Sequence, residues 1–236
     1  MAVEQALLVI ADIGGYTRFM RLHRLSLAHS QDITARLLEA MVDAAEPLRL
    51  VEIEGDAAFL YLPQGGGDAA MALALAMHRA FHARQTWMVG RNMCSCDACR
   101  QAGKLKVKFV AHAGEVATQT IRDRTKIVGV DVITAHRMLK NVVPVPEYIL
   151  MSQPVYEGSD PDIRARAVAI EMELEGLGQT TTHFVDLAGI ALELPPTEPP
   201  TTAGRVRETM GVLLRGLPAT LGIRRRPGSP LEAEVR

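Results

Sequence analysis

An α+β fold, a ferredoxin-like α/β sandwich, is what this sequence predicts, and three observations predict it. A short apolar run from Ala6 to Ala11 ends on Asp12 and a glycine pair. An alternating segment from Val51 to Leu62 folds back on itself around Glu54-Gly55-Asp56. Two stretches with helical spacing flank that hairpin. Strands and helices in the order β-α-β-β-α-β point to a sheet with helices packed on it.

In chain order, the opening stretch LLVIADIGGYTRFM, Leu7 to Met20, reads as a buried strand that delivers Asp12 to its carboxyl end. Gly14 and Gly15 let the backbone approach a ligand closely, and the amides opening the next helix point toward anionic oxygens. Taken alone, an aspartate there equally suits a cap on the following helix. Ile33, Leu37, Leu38, Met41, Val42 and Ala45 then give an amphipathic helix from about Ser30 to Pro47. The hairpin VEIEGDAAFLYL places Asp56 at its tip. Two carboxylates brought together beside a glycine turn would be hard oxygen ligands for Mg²⁺ or Mn²⁺ holding a triphosphate.

After the break at Gln64-Gly65-Gly66-Gly67, an Ala-rich helix is expected from Asp68 to about Met88. His78 and His82 stand four apart on it, a spacing able to chelate a metal, but no HExxH pattern accompanies them; they are read as solvent-edge residues. All three cysteines, Cys94, Cys96 and Cys99, fall in CSCDAC. They are either a zinc loop, with His82, Asp97 or another subunit as fourth ligand, or three ordinary surface thiols. A strand follows from Lys104 to His112.

At this point the chain resembles the catalytic domain of the class III nucleotidyl cyclases, the adenylyl and guanylyl cyclase family. ADIGGYT is similar to that family's first metal motif and VEIEGDAAF to its hairpin metal motif. VKFVAHAGEVATQTI (107–121) looks like its H-x-G-x-V strand, VGVDVITAHRM (128–138) its G-D-x-V-N-x-x-x-R helix, and ELEGLGQTTTHFVDL (173–187) its closing hairpin. All five occur in the family's order within residues 1–190, the expected cyclase-like domain.

The resemblance implies that Asp12, Asp56 and the Ile13 carbonyl bind Mg²⁺ or Mn²⁺. It further implies that the backbone of Gly14, Gly15, Tyr16 and Thr17 lines the phosphates of a nucleoside triphosphate. Glu52 matches a base-choosing position and goes with guanine; Lys126, at the second such position, matches neither usual choice and could neutralise Glu52. Arg137 matches the transition-state arginine. Its partner asparagine is replaced by Ile133, and the closing hairpin carries Glu175 and Leu177 where a phosphate-binding lysine is expected. Losing one preorganised donor costs on the order of 10²–10³ in rate, so three readings stand: a weak or altered cyclase, a catalytically lapsed nucleotide- or metal-binding module in signalling, and an interaction protein that uses CSCDAC and the basic tail on a cyclase scaffold. The family's site forms between two protomers, which implies a homodimer. A physical motive points the same way, since Arg137 is expected on a helix across the sheet from Asp12.

Beyond the domain, a proline-rich linker (191–202) leads to a basic tail (203–236), read as mostly disordered and capable of weak membrane or protein contact. The 236 residues, 48% of them hydrophobic, suffice for one domain and this tail. A net charge of −1 offers no electrostatic case for nucleic acid. Nothing before Asp12 reads as a leader and no apolar run approaches ~18 residues, so a cytoplasmic location is expected.

Overall fold

The central strand, β1 (Val3–Gly14), sets Leu7, Val9, Ala11 and Ile13 on one side and Ala6, Leu8 and Ile10 on the other, so it is buried on both faces. It pairs antiparallel with β3 (Ala57–Pro63) and with β4 (Lys106–Ile121). In this computed structural model, which describes residues 3–22, 27–91, 97–122, 124–188, 190, 201–203, 206 and 210, the eight-stranded sheet grows outward from that triplet. β2 (Arg49–Glu54) forms one edge beyond β3. On the other side β6 (Tyr148–Ser152) runs parallel to β4, followed by β8 (Gly178–Asp186) and β7 (Val168–Leu174). A short β5 (Arg124–Val128) pairs with the far end of β4.

One sheet face packs on α2 (Leu27–Asp43) and α3 (Gly67–Arg91) through Leu7, Val9, Ala11, Leu37, Met41, Met77 and Phe81. α2 ends at Asp43, short of the expected Pro47, which a helix does not reach because the residue before a proline, here Glu46, is disfavoured in the helical region. α3 starts at Gly67, where a side chain would strike the Val155 carbonyl. Short helices α1 (Tyr16–Leu22), α4 (Asp97–Gln101), α6 (Gln153–Glu157) and α7 (Pro161–Arg166) fill the connections. The opposite face packs on α5 (Val130–Met138) through Leu8, Ile10, Val110, Ala135, Met138 and Tyr148.

Two expectations are corrected. His78 is 1% exposed and His82 only partly exposed, and both contact Glu147, so they are not solvent-edge residues. Period-2 alternation along β1 puts Asp12 on the face of Leu8 and Ile10, the face that α5 covers. Arg137 is therefore not across the sheet from Asp12. Cys94, Cys96, residues 191–200 and most of the tail lie outside the described residues; Cys99 is buried in the core on α4.

Candidate functional site

β1 and the β2–β3 hairpin are joined at their ends. Asp12 lies opposite Ala57 in the register, and the Ile13 amide donates to the Asp56 carbonyl at 3.1 Å. The hairpin closes through Gly55-Asp56, with Gly55 at φ +66°, a conformation that favours glycine. The two carboxylates are thereby brought side by side. On the neighbouring strand Lys108 pairs with Asp12 in the register and its Nζ lies 3.0 Å from Asp12 Oδ2. Burial, and after it the Asp12 charge beside it, pushes the Asp56 carboxyl up to about 6. Burial would lower the Lys108 ammonium, but Asp12 first and Tyr148 and Asp56 after it raise it above its ordinary value. The Tyr16 hydroxyl is raised by burial and by the Asp56 charge, which puts its ring at the same cluster.

Two acidic groups against one ammonium leave the cluster short of positive charge. The donor set, two carboxylates plus the Ile13 carbonyl at a strand end, fits a hard divalent cation, with Lys108 already supplying one positive charge. Gly15, at φ +86°, turns the chain from β1 into α1, and Gly15 and Thr17 are exposed.

The remaining sequence-identified residues fall into two ion pairs. Lys126 Nζ is 3.5 Å from Glu52 Oε2, so the two base-choosing positions meet within one chain, both exposed. Arg137 pairs with Glu175, a residue of the β7–β8 turn. Ile133 is half exposed on the same helix.

A third arrangement explains the H-x-G segment. His112 Nε2 lies 2.8 Å from Asp131 Oδ1, and the Glu115 amide donates to Asp131 Oδ2 at 2.8 Å. A Cβ at Gly114 would fall 2.2 Å from Asp131 Cγ, so only glycine admits this carboxylate. The bond ties the start of α5 to β4 and orients Arg137, nearly two turns further on.

Sequence reasoning missed Lys108 and Glu147; His112 and Asp131 lie in the quoted H-x-G and G-D motifs, but their pairing with each other was not foreseen. Lys108 was legible in principle, since it alternates with the apolar Val107 and Phe109 on a strand that follows the metal motifs. Glu147 carried no signal, because its partners are 65 and 41 positions away.

A family model described as "Protein of unknown function (DUF2652)" matches residues 34–148. The chain is 40% identical over 168 residues to "Uncharacterized protein Rv2561/Rv2562" of Mycobacterium tuberculosis, covering 70% of this chain and 77% of that one. The fold matches the guanylyl cyclase Cya2 with a TM-score of 0.58 at 16% identity, over 82% of this chain and 98% of that one. It also matches a class III adenylyl cyclase-like ATP-binding protein from Pseudomonas aeruginosa, with a TM-score of 0.56 at 14% identity, over 70% of this chain and 36% of that one. The fold is that of the class III cyclases.

Proposed function

Because the chain belongs to the family of the Mycobacterium tuberculosis protein Rv2561/Rv2562 and has the class III cyclase fold, we propose that it is a divergent, metal-dependent nucleotidyl cyclase of slow turnover. One observation carries this reading: Asp12 and Asp56, from separate elements, are held side by side next to the glycine turn, in a cluster short of one positive charge. Mg²⁺ or Mn²⁺ bound there supplies charge neutralisation at the triphosphate and lowers the barrier to ionising the ribose 3′ hydroxyl.

Asp12, Asp56 and the Ile13 carbonyl would hold the cation, and Lys108, 3.0 Å from Asp12 Oδ2, orients the Asp12 carboxylate. The backbone from Gly14 to Thr17 lies along the phosphates. Glu52, neutralised by Lys126, gives only a weak guanine preference. Arg137 faces charge gathering on the α-phosphate, but only when it leaves Glu175. Two chains form a homodimer, which the exposed apolar side chains of Leu50, Ile53, Val130, Ile133 and Leu177 support.

The test is incubation with each of ATP, GTP, CTP and UTP plus Mn²⁺, with mass detection of a cyclic nucleotide. Cyclic product from wild type and none from Asp12→Ala is the expected result. The Arg137–Glu175 pair favours a second reading, in which the same site binds nucleotide without turning it over; the Pseudomonas structure is named an ATP-binding protein. Mn²⁺-dependent nucleotide binding with no product from any of the four would select it.

A further inference from the structure

On the sheet face away from Asp12, three side chains converge that the proposed chemistry does not use. His78 and His82 stand one turn apart on α3, and Glu147 immediately precedes β6. His82 Nε2 is 2.7 Å from Glu147 Oε1 and 3.2 Å from His78 Nε2, and His78 Nε2 is 3.5 Å from the same carboxylate oxygen. Glu147 is 3% exposed; the His78 Nδ1 has no partner among the described residues, and the polar contacts of that buried ring are made by Nε2, to His82 and Glu147.

The hydrogen bonds around the cluster determine which atoms carry protons. Gln85 donates its amide twice, to the Ala102 and Leu105 carbonyls, each at 2.8 Å. Its oxygen is thus the atom facing His82 Nδ1 at 3.2 Å, which makes Nδ1 the protonated nitrogen. A neutral His82 then aims the Nε2 lone pair at a carboxylate oxygen and at a second imidazole nitrogen. A lone pair facing a carboxylate oxygen at 2.7 Å calls for a cation between them, a proton or a metal ion.

We propose that His78 Nε2, His82 Nε2 and Glu147 Oε1 form a binding site for a transition-metal dication of the zinc class. Bonds of about 2.0–2.1 Å to a tetrahedral zinc put ligand atoms about 3.3 Å apart; the 3.2 and 3.5 Å separations bracket that value, and the 2.7 Å His82–Glu147 contact has to open by about 0.6 Å to admit the ion. Two imidazoles and a carboxylate select zinc or its neighbours over Mg²⁺. Gln85 on His82 Nδ1 and Lys106 Nζ, 3.1 Å from the other Glu147 oxygen, are the outer groups that hold such ligands in place. A water or a solute group completes the fourth position. The ion pins the middle of α3 to the start of β6, and Lys106, opposite Gly14 in the register, links it to the glycine turn.

The test uses the full chain with Cys94→Ser and Cys96→Ser, which removes two thiol ligands, and titrates it with Zn²⁺ or Co²⁺ alone. One equivalent is expected to bind, raise the melting temperature, and give Co²⁺ visible bands without a thiolate charge-transfer band. His78→Ala and Glu147→Gln abolish that binding, Gln85→Leu weakens it about 10–100-fold, and Asp12→Ala leaves it unchanged. If the histidine variant fails to fold, the cobalt spectrum of the parent protein still decides. No bound equivalent in the parent, or binding indifferent to His78→Ala and Glu147→Gln, overturns the proposal; the cation at the centre is then a proton on His82.

Discussion

The carboxylate pair at Asp12 and Asp56 sets how stability responds to pH. In chelator-treated protein the Asp56 carboxyl titrates near 6 in the fold and near 3.8 when unfolded, so between these values the native state holds more protons. A raised folded value contributes stability that is fully present below about 3.8 and lost as pH rises through about 6. Asp56→Asn should therefore exceed wild type at about pH 7 by on the order of 1 kcal/mol, after discounting the gross shift for a half-exposed group, and match it near pH 4. Thermal melts across pH measure this; a difference of constant size at all pH values would refute it. Arg137 yields a second expectation. Glu175→Gln frees the guanidinium and, if the cyclase reading holds, raises turnover by up to about 10² while leaving nucleotide binding within a few-fold. An unchanged kcat would mean that the pair does not restrain catalysis.

Elements are locked together by contacts that tolerate no added atom. At Gly114 the Asp131 carboxylate takes the space of a side chain, and through it α5 is tied to β4 by His112 and the Glu115 amide. Gly114→Ala must displace Asp131 and should cost about 1–3 kcal/mol in denaturant unfolding, the usual range for overpacking. Because Arg137 lies on α5, the same change should lower any cyclase activity by more than its effect on stability at room temperature explains. An alanine tolerated without loss at either level would show that the carboxylate moves aside freely.

At the scale of the whole molecule, assembly rests on a different footing from the one the sequence suggested. Asp12 and α5 share a sheet face, so no separation across the sheet demands a second chain. The proposed dimer rests instead on the exposed apolar side chains of Leu50, Ile53, Val130, Ile133 and Leu177. Sedimentation should give twice the chain mass for wild type and a single-chain mass for Ile53→Asp with Leu50→Asp; a monomeric wild type at high micromolar concentration would end the dimer reading. The α+β class, the two flanking helices, the hairpin tip and the pairing of Asp12 with Asp56 were determined by the sequence itself, because each depends on local period, glycine placement or motif order. Even the neutralisation of Glu52 by Lys126 was legible that way. The tertiary structure alone decided the cluster of His82 with Glu147, the capture of Arg137 by Glu175 and the face on which Asp12 stands. These contacts join residues 65 and 38 positions apart, or depend on how strands alternate within an assembled sheet, and short-range patterning carries no information about either.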